Sequence, residues 1–131
     1  MTVPRLFLDT TVLIDALRGR AAADRLRSLR PGTEPPFVCA INVEELWRGA
    51  RREEEAAIRR LLLALQIAPL GRDEGQRAGQ WRRDFAAKGI TLSQSDCLIA
   101  AAAVGVTARL VTGNPADFPM IGLIVEHWPV G

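Results

Sequence analysis

Asp9 ends a short apolar run in the stretch PRLFLDTTVLIDALRG and is followed at once by two threonines and an amphipathic segment. Three later stretches set acids or an amide beside apolar elements in the same way. INVEELWRGA carries Glu45, SQSDCLIAAAA carries Asp96, and RLVTGNPADF carries Asn114 and Asp117. Carboxylates brought to one point repel one another strongly unless cations neutralise them. Hard divalent ions with oxygen ligands, Mg2+ or Mn2+, are the natural partners of such a set. Each residue also has a structural use. Asp9 could cap the helix that follows it. Glu45 and Asp96 lie three places after Asn42 and Ser93, the spacing of a capping box, and Asp117 suits a turn. The hydroxyls of Thr10, Thr11 and Thr112 lie beside these positions, where they either orient a carboxylate or fill strand ends.

The elements that must position these side chains alternate in type. Residues 5–8 read as a short buried strand between Pro4 and Asp9. Residues 11–17 and 21–29 read as helices, broken at Gly19 and ended by the RPGTEPP loop. Residues 37–41 form a second strand, and Asn42 opens the next helix. The stretch RREEEAAIRRLLLAL forms another, with Ile58, Leu61, Leu62 and Leu65 on one face, and QIAPL is a third strand. Residues 72–88 are helical with Gly89 as the stop, and a helix capped by Ser93 is stopped by Gly105. Strands at 108–112 and 123–128 complete the chain. Strands alternating with helices predict one α/β domain over residues 1–131, a mostly parallel sheet with helices on both faces. Ligands of such sheets bind at the carboxyl ends of the strands, where Asp9 and residues 112–117 fall.

Composition excludes several classes. Hydrophobic residues at 48% and charged residues at 24% suit a soluble globular domain. No apolar run approaches the roughly 20 residues that span a bilayer, and Asp9 and Asp15 interrupt the first apolar stretch, so a signal segment or membrane anchor is not expected and the location is read as cytoplasmic. Cys39 and Cys97 form no C-x-x-C pair and read as reduced core thiols. Net charge is +2, with Lys88 the only lysine. Arginine suits phosphate contact, so the charge permits nucleic acid without demanding it. His127 is the only histidine and there is no tyrosine, which leaves no paired acid and base for a histidine-based ribonuclease. Neither a G-x-x-x-x-G-K-[ST] nor a G-x-G-x-x-G loop is present.

In order and spacing, FLDTTVLIDALRG, INVEELWRGA, SDCLIAAAA and LVTGNPADF resemble the PIN-domain family, and within it the VapC-type toxins of bacterial toxin–antitoxin pairs. The resemblance covers residues 6 to about 128. It implies a small three-layer α/β/α sandwich and a metal-dependent endoribonuclease, commonly homodimeric and held inactive by a cognate VapB-type antitoxin. By motif match, Asp9, Glu45 and Asp96 would be the acidic metal ligands. The family often has an acid where this chain has Asn114, and Asp117, three residues on, could compensate. A bound Mg2+ would lower the pKa of a water and polarise a phosphoryl oxygen, the requirements of RNA phosphodiester hydrolysis. RNA would be held by arginines, with Arg18, Arg20, Arg48, Arg51, Arg52, Arg82 and Arg83 as candidates. Trp47, Trp81 and Phe85 read as core or as an interface with a groove for an antitoxin segment. Two other readings stay open. Asp9 at a strand end suits a phosphoaspartyl protein, although Thr11 stands where an aspartate-nucleophile phosphatase wants its second acid. Asn114 suits a catalytically weak or inactive module that binds RNA or antitoxin.

Overall fold

The computed structural model describes residues 3–131. Met1 and Thr2, the first residues of the expected single domain, lie outside the described residues. The elements are β1 (Leu6–Leu8), α1 (Thr10–Leu17), α2 (Ala21–Arg27), β2 (Phe37–Val38), α3 (Ala40–Arg48), α4 (Glu55–Leu63), β3 (Gln66–Ile67), α5 (Arg72–Ala86), α6 (Gln94–Gly105), β4 (Arg109–Thr112) and β5 (Val125–His127). Short 3₁₀ turns occupy Arg52–Glu54 and Pro115–Asp117. The sheet has five strands in the order β3-β2-β1-β4-β5, and every pairing is parallel, which sharpens the expectation of a mostly parallel sheet.

Strand alternation explains the layers. Successive side chains of a strand point to opposite faces. Phe7, Phe37 and Leu110 enter one core with α6, while Leu8, Val38 and Val111 enter the other beneath α1. On the first face the buried run Ala100–Ala103 keeps α6 slim, which lets it lie close to the sheet and to α5. On the second face Val12 and Leu13 of α1, Leu46 of α3 and Ile58 of α4 close over the strands. Phe7 is fully buried in the central strand, so Phe7→Ala is expected to cost about 3–5 kcal/mol.

Several local readings need correction. The second strand stops at Val38, because Cys39 is already the N-cap of α3. Asn42 therefore does not open that helix. It is the third residue inside it, and its Oδ1 accepts the backbone N–H of Cys39 at 2.8 Å. Glu45 thus has no capping-box role. α6 does end at Gly105 as expected, but not by a left-handed turn at the glycine. That conformation falls on Thr107 (φ 55°), with Ala108 N–H closing onto the Ala103 carbonyl at 2.9 Å. Gly89 (φ 77°) does end the α5 segment as expected. Trp47 packs on the α1 side of the sheet and Trp81 and Phe85 on the α6 side, so these aromatics line no common groove. Cys39 and Cys97 are buried free thiols, both pushed up in pKa chiefly by burial. Among the described residues, no helix is long and apolar enough to cross a membrane.

Candidate metal centre

The strand order reverses direction between β1 and β4, and ligands of open parallel sheets bind outside the carboxyl ends of the strands at such a point. Leu8 pairs with Val111, and Asp9 N–H bonds the Val111 carbonyl at 2.9 Å. The chain therefore sets Asp9 beside Thr112, at the two strand ends that flank the reversal. α6 leads by a short turn into β4 and runs back along it. Its first turn, with Asp96, accordingly lies at this same end of the sheet. α3 follows β2, the other neighbour of β1, and carries Glu45.

Asp9 is nearly buried and stands at the N-cap of α1, yet its carboxylate makes no capping bond. Its Oδ2 instead accepts Thr11 Oγ1 at 2.9 Å and Thr112 Oγ1 at 2.8 Å. Both hydroxyls have acceptor duties as well, Thr11 Oγ1 toward Gly113 N–H and Thr112 Oγ1 toward Asn114 N–H, each at 3.0 Å. Thr10 Oγ1 donates to Glu45 Oε1 at 2.7 Å. The threonines that the sequence left between two roles are thus all bonded to acids or to the loop after β4. Ser93 caps α6, accepting Asp96 N–H at 3.1 Å. The two candidates for the fourth position are joined, with Asn114 Nδ2 donating to Asp117 Oδ2 at 2.8 Å.

The acids sense one another. Burial first, then the negative charges of Asp117, Asp9 and Glu45, push the Asp96 carboxyl above the ordinary aspartate range, against the lowering effect of the Ser93 hydroxyl. Asp117 exerts the strongest of the three charge effects. All the donors are hard oxygens, which suits Mg2+ or Mn2+. Among the described residues, no three Asp, Glu, His or Cys side chains lie close enough to enclose one ion directly. That spacing does not make a closed zinc cage. Mg2+ keeps several waters and takes only one or two carboxylates directly, so a hydrated ion is the form in which these residues would hold it.

The arginines divide. Arg48 is engaged by Glu44 at 3.0 Å, Arg51 lies 3.7 Å from Glu54, and Arg83 lies 3.6 Å from Asp84. Arg82 donates to the Leu92 carbonyl at 3.2 Å. Among the described residues no ion pair holds Arg18, Arg20 or Arg52. Arg18 borders a cavity of about 110 Å³ that also touches Glu45 and is floored by Ile14, Leu46 and Ile58. Sequence reasoning missed the part played by Asn42, whose one legible signal is a polar residue between Ile41 and Val43, a turn before Glu45.

A small parallel α/β/α sandwich with acids gathered at the reversal of strand order defines a class of protein, and the PIN-domain family model matches residues 6–119. The chain belongs to the PIN-domain family. It is 33% identical over 114 residues to Ribonuclease VapC19 of Mycobacterium tuberculosis, covering 86% of this chain and 91% of that one. It is 34% identical over 116 residues to Ribonuclease VapC10 of the same organism, covering 88% and 86%. A solved structure of VapBC2 from Rickettsia felis, bound to a DNA fragment from its promoter, superposes with a TM-score of 0.82 at 24% identity, covering 94% of this chain and 98% of that one. That likeness shows the fold.

Proposed function

We propose that this chain is a VapC-type ribonuclease, the toxin of a toxin–antitoxin pair, hydrolysing RNA phosphodiesters with Mg2+ or Mn2+. The observation that carries the reading is the placement of Asp9, Glu45 and Asp96 on elements that meet at the reversal of strand order in a PIN-domain chain, where burial first and then the charges of Asp117, Asp9 and Glu45 raise the Asp96 carboxyl. The names of the VapC19 and VapC10 relatives, each covering more than four fifths of this chain, support the same chemistry. Asp9, Glu45 and Asp96 would hold a hydrated ion, one or two of them directly and the rest through its waters, Asp117 would supply negative charge from the fourth position, and Asn114 would orient Asp117 through its amide. When bound, the ion lowers the pKa of a water and polarises the phosphoryl oxygen. Thr11 and Thr112 orient the Asp9 carboxylate by donating to Oδ2. Arg18, Arg20 and Arg52 are the arginines left to meet phosphates.

The toxin reading brings a VapB-type antitoxin as partner, supported by the VapBC complexes that share the fold. It brings a homodimer, for which exposed Leu63, Ile121 and Ile124 offer apolar area, and a cytoplasmic site of action. The test is cleavage of RNA by the purified chain with Mg2+ or Mn2+ against EDTA. Endonucleolytic products that need the metal and vanish in Asp9→Asn and Asp96→Asn are expected. Undiminished, EDTA-resistant cleavage by those variants would overturn the ligand set. Asn114, an amide in an otherwise acidic set, favours a second reading as a binding module. Metal binding without growth arrest on expression, and without cleavage of total RNA, would select it.

A further inference from the structure

Asn42 is fully buried, and the chemistry above makes no use of it. Its Oδ1 accepts the Cys39 backbone N–H at 2.8 Å. That bond fixes the carboxamide, because the flipped orientation would set an NH₂ against an N–H. Nδ2 then donates to Thr10 Oγ1 at 3.0 Å. A hydroxyl that accepts on one side still has its proton to give, and Glu45 Oε1 stands 2.7 Å away. The direction of every bond from Cys39 to Glu45 follows from the first.

We propose that Asn42 is a positioning residue for Glu45, acting through Thr10. It obliges the Thr10 hydroxyl to donate to Glu45, which holds Oε1 in place. Among the described residues the nearest cation, Arg48 Nη2, stands 4.0 Å from Oε2 and is drawn off by Glu44. One glutamate oxygen is therefore restrained while the other is left for a ligand. The relay also ties α3 to the first turn of α1, next to Asp9, so two carboxylates from different elements keep a fixed relation. The proposal rests on the reading of Glu45 as a metal-facing acid.

The test uses the full chain and Mn2+ alone, titrated by electron paramagnetic resonance, with thermal melting of each variant alongside. Asn42→Leu and Thr10→Val are each expected to weaken Mn2+ binding about tenfold, the usual scale for groups that orient a ligand. Thr10→Ser is expected to restore it. Asn42→Leu made on top of Thr10→Val is expected to weaken binding no further, because the route through Thr10 is already cut. A merely structural Asn42 would lower the melting temperature and leave its effect on Mn2+ undiminished in that background, which would overturn the proposal. Should Asn42→Leu not fold, the side-chain amide resonances of Asn42 serve instead. Mg2+ is expected to shift them in the unaltered chain and not in Thr10→Val, and equal shifts in both would overturn the proposal. Saturable Mn2+ binding that neither substitution changes defeats the role of Asn42 alone. Absence of Mn2+ binding to the unaltered chain defeats the metal-centre reading and this inference together.

Discussion

Thr112 Oγ1 donates to Asp9 Oδ2 at 2.8 Å, joining the ends of the two strands that flank the reversal in sheet order. Thr112 is fully buried, and the same oxygen accepts Asn114 N–H at 3.0 Å. One hydroxyl thereby holds both an acid and the loop that carries the fourth position. Thr112→Val keeps the shape and removes both bonds. It should cost about 1 kcal/mol in a urea melt, for the amide left unpaired. It should also slow RNA cleavage about 10- to 100-fold, as loss of a ligand-orienting group does. Thr112→Ser should keep most of both. An unchanged cleavage rate in the valine variant would count against the orienting role.

Asp96 works against the fold while ionised. Its folded pKa lies above the ordinary aspartate value. Such a group contributes stability fully at pH below its unfolded pKa, and the contribution is lost as pH rises through the folded pKa. Asp96→Asn, which keeps the N–H bond to Ser93, should therefore melt a few degrees higher than the parent at pH 7 in EDTA. The advantage should shrink in acid. Addition of Mg2+ should raise the melting temperature of the parent and leave the variant where it was. A variant that melts lower in EDTA would show that repulsion among the acids is not the dominant effect.

Thr107 holds the left-handed conformation (φ 55°) at the end of α6, with its own N–H on the Val104 carbonyl at 3.0 Å. A β-branched residue is strained there, and glycine is not. Thr107→Gly should stabilise the chain by about 1 kcal/mol, a rise of about 4 °C in melting temperature. Cleavage should not change, because the turn lies at the end of the sheet opposite the acids. A lower melting temperature would mean that the threonine side chain makes contacts outweighing its backbone strain.

Much of this arrangement is legible in the sequence because it depends on period and order. The apolar pairs Phe7–Leu8 and Leu110–Val111 sit between polar boundaries and must face two cores, which requires helices on both sides. Asp9, Glu45, Asp96 and Asp117 are legible as acids beside apolar elements. What a one-dimensional reading cannot reach is the partner of each polar atom. Asn42 and Ser93 both stand three places before an acid, yet only Ser93 caps its helix, because Cys39 already turns the chain out of β2. Gly105 and Thr107 both close α6, and the tight return into β4 settles which takes the left-handed turn. Arg48 and Arg51 look as available as Arg18 until Glu44 and Glu54 are placed beside them.

Asp15 is a buried carboxylate remote in role from the metal centre. Its Oδ2 accepts Ala22 N–H at 2.9 Å and its Oδ1 accepts Gly131 N–H at 3.1 Å, so it fastens α2 and the segment after β5 to α1. The Ala22 bond first, then the Gly131 bond, hold its pKa below the ordinary aspartate range, with smaller help from Arg20 and Arg18 against burial. The stability it contributes is present above the unfolded aspartate pKa and is lost as pH falls through the lower, folded value. Asp15→Asn keeps one acceptor and sets an NH₂ against the other N–H, so the variant should melt well below the parent at neutral pH. Below about pH 4, near the ordinary aspartate value, the unfolded chain takes up the proton first, so the gap should narrow, closing only below the lower, folded value, where the parent's own Asp15 is protonated. Melting followed by circular dichroism between neutral pH and pH 3 reads the plateau and the narrowing. A gap that stays constant over the whole range would mean that packing at residue 15, and not its charge, fastens these segments.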